Sequence, residues 1–271
     1  MFWTRLASGI VLIAAALIVL ISGGPILAGT LFAVSLIGLH EWYRALGLEK
    51  EKAVFAPLTI CGYIGTGAYY LLLFLGMQAY TMTVLIGVLI LMMSVYVFTY
   101  PRYRTEEITG AFFGVVYVSV MLACIYELRL AEDGLFLVWL IFISSWGCDT
   151  CAYCVGMLFG KHKMSPKLSP KKSVEGAVGG VAGAVLIGVI YGLAVGSRMK
   201  TETDHILPFA VICAAGALIS MIGDLAASAV KRNHDIKDYG KLIPGHGGIL
   251  DRFDSVIFIA PVIYYLAVIL M

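Results

Sequence analysis

Long apolar runs separated by short polar stretches dominate the chain, and within each run the apolar residues are continuous rather than alternating. A bilayer core takes about 20 apolar residues per helix, with a range of about 17–25. Nine runs meet or approach that length, approximately 6–22, 25–40, 57–76, 80–100, 108–128, 135–158, 175–196, 206–230 and 252–271. The second is short, so its ends are soft. The absence of alternation excludes a closed β-barrel. The pattern therefore predicts an all-α, polytopic integral membrane protein of about nine helices. Nine spans occupy about 180 positions and leave roughly 90 for every connection. No soluble domain fits in that remainder, so any chemistry must sit on helix ends and short loops. Arg5 ahead of the first run, with small residues at 22–24, imitates a signal peptide. Eight further spans behind it make a retained first helix the better reading.

Composition agrees. Of 271 residues, 61% are hydrophobic and 13% charged, against about 25% charged in a soluble domain. A soluble enzyme, a nucleic-acid binder and a disordered chain are excluded. The net charge of +2 suggests no partner, but the distribution of charge is informative. With the N-terminus in the cytoplasm, Arg5, Arg44, Lys50, Lys52, Arg102, Arg104, Lys161, Lys163, Lys167, Lys171, Lys172, Lys231, Arg232, Lys237, Lys241 and Arg252 fall on the inside. Only Arg129, Arg198 and Lys200 fall outside, which completes the nineteen. This is the asymmetry of the positive-inside rule. An odd number of spans then puts the C-terminus outside. Cys61, Cys124, Cys148, Cys151, Cys154 and Cys213 lie in apolar stretches and read as small buried side chains.

The halves differ. Residues 1–134 form a scaffold of apolar helices with no dense polar cluster, and there Glu41 and Glu127 read as interfacial or paired groups. Residues 135–271 hold two polar, glycine- and lysine-rich loops on one membrane face, 159–174 and 231–251, with acidic residues in the helices beside them. Asp149 sits within span six and Asp224 near the cytoplasmic end of span eight. A charged Asp at a helix centre costs about 2.5–3.5 kcal/mol on insertion scales, so such residues line a cavity, bind an ion or pair with a charge. A protonated, hydrogen-bonded structural Asp is the plainer alternative. Asp224, Ser228, Lys231 and Arg232 share one helical stripe. Asp251 and Asp254 open the last helix, where one of them is readily explained as a cap. Oxygen ligands on separate helices among lysines and arginines suit Mg²⁺ holding a polyphosphate.

The segment Ser169-Pro-Lys171-Lys172-Ser173-Val-Glu175-Gly176 opens span seven, and hydroxyls, lysines and unpaired N–H groups there make an anion site. A lysine pair in such a loop is equally a topology signal. Loop 240–248 contains Gly240, Pro244, Gly245, His246, Gly247 and Gly248. Its glycines let backbone approach a ligand, and flexible turns explain them as well. His246 is a candidate for phosphate contact or proton transfer. Cys148-x-x-Cys151-x-x-Cys154 has iron–sulfur spacing, but Leu158 stands where the fourth ligand belongs. Gly180, Ala184, Gly188, Gly192 and Gly196 form a ribbon for close helix packing.

Residues Ser228 to Asp254 resemble the signature of the phosphatidate cytidylyltransferases, or CDP-diacylglycerol synthases. Ser228, Lys231, Arg232, Lys237, Asp238, His246, Gly247, Gly248, Asp251, Arg252 and Asp254 all fall in place. Upstream, Asp149, Ala152-Tyr153, Gly156, Phe159-Gly160-Lys161 and the Ser-Pro-Lys-Lys-Ser block ending Glu175-Gly176 are similar to the same family; Ser173 stands where Thr is also common. The likeness runs from Trp146 to Ser255.

The resemblance implies transfer of a cytidylyl group from CTP to phosphatidic acid, giving CDP-diacylglycerol and pyrophosphate. It also implies dependence on Mg²⁺, as one or two ions with a monovalent cation as a possible companion, and a homodimer. The site would face the cytoplasm, in a bacterial cell the cytoplasmic side of the inner membrane. Asp224 and Asp251 would be direct metal ligands, with Asp149 and Asp254 as further ligands or outer supports. Ser169, Lys171, Lys172, Ser173, Glu175, Ser228, Lys231, Arg232, Lys237, Asp238, Gly247, Gly248 and Arg252 would hold the two anionic substrates, and His246 would serve in binding before any role as a base. The rival from another class is an ion-coupled transporter using Asp149 and Asp224. No inverted repeat supports it. A lipid kinase would use ATP, and an alcohol phosphotransferase should show a paired Asp-Gly…Asp-x-x-x-Asp pattern, which is absent.

Overall fold

A computed structural model describes residues 2–49, 56–201, 205–243 and 247–271, with side chains from Gly9 onward apart from Ile10 and Leu12. Lys50, Lys52 and His246 lie outside the described residues, as does the side chain of Arg5. The helices are α1 (Phe2–Ser22), α2 (Gly24–Ala45), α3 (Pro57–Phe74), α4 (Thr81–Phe98), α5 (Thr105–Leu130), α6 (Gly134–Phe159), α7 (Val174–Val195), α8 (Ile206–Asn233) and α9 (Leu250–Leu270). Among the described residues eight are long and apolar enough to cross a membrane, and α1 adds the shorter apolar helix Ile13–Ser22. The expected polytopic helical architecture is therefore present. Helices are required because hydrocarbon offers backbone N–H and C=O groups no partner outside the segment.

Three local features depart from the expected pattern. Helix α2 runs through His40, Glu41 and Arg44 to Ala45, beyond the apolar run that predicts its end near residue 40. Loop 159–174 contains an antiparallel hairpin, β1 (Lys163–Ser165) with β2 (Ser169–Ser173), in which Lys163 faces Ser173 and Ser165 faces Ser169. Single π-helical segments interrupt α5 at Val115–Val120 and α6 at Ile143–Gly147. Such segments shift which residues face inward and recur near functional sites.

The chain divides into two compact units. The first is Met1–Tyr126 with His234–Arg252, and the second is Glu127–Asn233 with Phe253–Met271. A division at residue 134 drawn on polarity differs from this one chiefly in residues 234–252, which group with the N-terminal helices.

In the first unit Tyr43 is fully buried. Its hydroxyl donates to Ala111 O at 3.2 Å, and a Cβ at Gly62 would land on it. Trp42 Nε1 donates to Gly110 O at 3.0 Å. Ser35–Tyr70 and Thr66–Ser119 are buried hydroxyl pairs at 2.7 and 2.8 Å. Polar atoms buried among apolar helices are costly unless so paired.

In the second unit the small-residue ribbon does what its spacing predicts. Gly180, Ala184, Gly188 and Gly192 are buried along α7. A Cβ at Gly180 would stand 2.9 Å from Cys148 Sγ, and one at Gly192 3.1 Å from the Phe209 ring. Where burying apolar surface from lipid gives no driving force, such close approach supplies the dispersion contact that holds helices together. All six cysteines are free; Cys61, Cys124, Cys148 and Cys213 are buried, Cys151 is half-buried and Cys154 is exposed.

Candidate functional site

The second unit carries a cation–carboxylate cluster on α6, β2 and α8. Asp149 follows the π-helical segment of α6, and its side chain is exposed on the surface of the unit. It lies within electrostatic reach of Lys172 and Asp224. Lys172 Nζ, at the end of β2, makes an ion pair with Asp224 Oδ2 on α8. The two side chains are 29% and 28% exposed. The hairpin is what aims Lys172. Lys171, its neighbour, is exposed, and Ser169 is half-buried opposite Ser165.

Ser173 caps α7, its Oγ accepting from Gly176 N at 3.1 Å. Close approach of the chain around that hydroxyl depends on glycine. A Cβ at Gly156, Gly160 or Gly176 would stand 3.0, 2.8 or 2.9 Å from Ser173 Oγ. Glu175 in the first turn of α7 is engaged with the protein itself. Its carboxylate accepts from Lys161 N at 3.1 Å and His162 N at 3.2 Å, and pairs with His162 Nδ1 at 2.5 Å. It ties the turn at 160–162 to the helix.

Because α8 continues to Asn233, Asp224, Ser228, Lys231 and Arg232 keep their common stripe. Ser228 and Lys231 are half-buried and Arg232 is exposed. Asp254 on α9 is half-buried, and its Oδ1 accepts from Ser255 N at 2.8 Å. A Cβ at Gly223 would stand 3.0 Å from Asp254 O, so α9 presses on α8 beside Asp224.

The first unit carries the glycine-rich loop. Asp251 is 7% exposed, and its Oδ2 accepts from Tyr239 N at 2.8 Å and Gly248 N at 2.9 Å. Ile243 N donates to Gly247 O at 2.9 Å. Gly247 has φ +85, and a Cβ there would stand 2.8 Å from Asp251 Oδ2, so both backbone and space demand glycine. Lys237, Asp238 and Arg252 are exposed.

Sequence reasoning left Glu41 without a specific partner. In the structure it is 4% exposed, with Oε1 accepting from Ile249 N at 3.0 Å and Oε2 from Leu250 N at 2.9 Å. A carboxylate in an apolar helix, two hundred residues from its partners, has no local pattern to announce that role.

Among the described residues no three His, Cys, Asp or Glu side chains converge into a ligand set. The four carboxylates expected to bind metal do not form one cluster within either unit: Asp149, Asp224 and Asp254 are in the second and Asp251 in the first. Asp149 and Asp224 do share one field. Mg²⁺ usually takes one or two protein carboxylates and completes its octahedron with waters and substrate phosphates. The donor set fits Mg²⁺ in that mode and does not fit a closed protein cage.

Residues 3–270 match the cytidylyltransferase family. The chain belongs to that family. It is 32% identical over 279 residues to a phosphatidate cytidylyltransferase of Haemophilus influenzae, covering 96% of each chain. A phosphatidate cytidylyltransferase of Staphylococcus epidermidis is 30% identical over 255 residues, covering 92% of this chain and 93% of the relative. One of Thermotoga maritima is 37% identical over 157 residues, 58% of each. A cytidylyltransferase is a nucleotidyl-transferring enzyme, and this one is a multi-pass membrane protein. Family membership sets aside the reading of Asp149 and Asp224 as an ion path. A nucleotidyl transferase must neutralise crowded phosphates, and Lys172, paired with Asp224 and in electrostatic reach of Asp149, supplies a cation beside two carboxylates.

Proposed function

We propose that this enzyme transfers the cytidylyl group of CTP to phosphatidic acid, releasing pyrophosphate and leaving CDP-diacylglycerol in the membrane. The near-full-length likeness to phosphatidate cytidylyltransferases carries the reading. The pairing of Lys172 on the hairpin with Asp224 on a membrane helix supports it, because a lipid phosphate could reach such a pair from the leaflet.

A phosphate oxygen of phosphatidate attacks the α-phosphorus of CTP. The new P–O bond forms as the α–β anhydride bond breaks, and its electron pair leaves on pyrophosphate. Lys172 and Lys171 receive phosphate oxygens, with Ser169 and Ser173 at the edges of the same hairpin. In the second unit Ser228, Lys231 and Arg232 extend the cationic track, and in the first Lys237, Gly247, Gly248 and Arg252 offer backbone and charge to the triphosphate. Asp238 stands beside Lys237 in the first unit. Glu175 keeps the hairpin in place. Phosphatidate is already largely ionised near pH 7, a phosphomonoester's second pKa being about 6. No strong general base is needed, and His246 is assigned phosphate contact. Asp149 and Asp224 would hold Mg²⁺, with Asp251 and Asp254 as further carboxylates and a monovalent cation as a companion. When bound, the ion would offset charge on the leaving pyrophosphate. The enzyme works as a homodimer, with its site on the cytoplasmic face of the bacterial inner membrane.

Purified enzyme incubated with labelled CTP, phosphatidate and Mg²⁺ should yield labelled liponucleotide and pyrophosphate in equal amounts. EDTA or Asp224→Asn should abolish both. Folded protein that makes no product with any lipid tested would refute the reading. Product formation untouched by EDTA would refute the metal assignment alone.

A further inference from the structure

Glu41 sits in the first unit on α2, in a cradle formed by the glycine loop and the first turn of α9. Both of its oxygens are committed to the backbone amides of Ile249 and Leu250. A Cβ at Gly240 or Gly248 would fall on its carboxylate. Asp251 lies within electrostatic reach of Glu41 and ties the same loop from inside, through Tyr239 N and Gly248 N. The neighbouring residue of α2 reinforces the contact, with the Trp42 and Tyr239 rings stacked at 6.4 Å. The glycine loop therefore has two carboxylate staples: one stands in the first turn of α9, directly after the loop, and the other comes from a helix in the half of the chain that carries no expected site residue.

The arrangement has a reason beyond stability. A loop rich in glycine loses much conformational freedom when it is ordered, and its backbone cannot by itself hold one geometry. A buried carboxylate tolerates its surroundings only if hydrogen-bonded. The first amides of a helix are donors without intrahelical partners, in a field that favours negative charge. Each requirement meets the other at Glu41. Two backbone donors are aligned by one rigid acceptor, and residues 247–252 follow from that anchor.

We infer that Glu41 is a positioning residue for the cytidylyl-transfer site, holding Gly247, Gly248 and Asp251 in register by clamping the amides of Ile249 and Leu250. This rests on the functional reading above. Glu41 touches no substrate. Its effect on turnover passes through the loop, where a displacement of about 1 Å can cost on the order of 10²-fold in rate.

The test compares wild type, Glu41→Gln and Gly240→Ala in detergent, reading CTP and phosphatidate kinetics alongside backbone amide hydrogen exchange. Gln preserves shape but turns an N–H₂ toward a donor. The Ala methyl leaves Glu41 in the chain but displaces its carboxylate, which covers the case in which Glu41→Gln does not fold. In each folded variant, exchange at 249–250 should rise while α7 is unchanged, and kcat should fall at least about tenfold with KM for phosphatidate within about twofold. Full turnover in a folded variant overturns the inference, whether or not exchange rises. So does lost turnover with exchange at 249–250 unaltered, since Glu41 would then act by another route. A wild-type protein without turnover overturns the functional reading itself, a result distinct from any difference between variants.

Discussion

Lys172 of β2 and Asp224 of α8 form an ion pair with Asp149 of α6 in reach of both charges. Three elements of the second unit thus converge on one pair of opposite charges in a chain where charge is scarce. Each side chain is more than a quarter exposed, and an exposed pair adds only about 0–1 kcal/mol to stability. Lys172→Met should therefore change thermal stability little while lowering cytidylyl transfer by roughly 10²-fold, the scale of losing one preorganised electrostatic group. Lys171→Met, on the exposed neighbour, should cost much less. Melting curves and initial rates measured on the same preparations check both.

Glu175 gathers the amides of Lys161 and His162 and the His162 ring. Glu175→Gln should free the turn before the hairpin, so limited trypsin digestion at Lys161, Lys163 and Lys167 should accelerate. Cleavage at wild-type speed would show that the hairpin is held by other contacts.

Gly180 meets Cys148 at a distance no side chain can share. Gly180→Val should separate α6 from α7 at a cost of about 1–3 kcal/mol, the usual penalty of overpacking. Less folded protein should survive heating in detergent. Gly67→Ala is the control, because nothing lies within 4 Å of a Cβ there. Its melting temperature should be no lower than that of wild type, since Ala also has the better helix propensity.

Asp133, in the connection between α5 and α6, is a cap for another connection of the second unit. Its carboxylate accepts from Lys200 N at 3.0 Å, Thr201 N at 3.1 Å and Thr201 Oγ1 at 2.8 Å. Partial burial pushes its pKa up, but these hydrogen bonds and the Lys200 charge outweigh it and hold the pKa below the usual carboxylate value. A depressed folded pKa contributes stability that is fully present above the unfolded value of about 3.9 and is lost as pH falls through the folded value. Asp133→Asn suits the left-handed backbone, φ 55. Its stability deficit relative to wild type should be constant near neutrality and should shrink below about pH 4. A deficit independent of pH down to the folded pKa and below would refute the role of the charge.

Much of the helical framework was legible along the chain, and the reason is local. Hydrocarbon forces each crossing segment to satisfy its own backbone, so apolar length alone places α3 to α9 within a few residues of their ends. The stripe of Asp224, Ser228, Lys231 and Arg232 and the ribbon through Gly180 and Gly188 are also local, because a helix repeats every 3.6 residues wherever it packs. The family signature was legible for a different reason, as 27 residues from Ser228 to Asp254 form one unbroken pattern.

Tertiary structure decided everything that depends on partners distant in sequence. The apolar run predicts that α2 ends near residue 40, yet the helix continues through Glu41, because Ile249 and Leu250 supply the donors that make a buried carboxylate tolerable there. Of two adjacent lysines, the hairpin register turns Lys172 rather than Lys171 onto Asp224. Glu175 reads as a substrate contact from its motif, but its observed partners are the residues of the preceding turn. Composition and periodicity report what each segment needs from its surroundings; only folding determines which other segment meets that need.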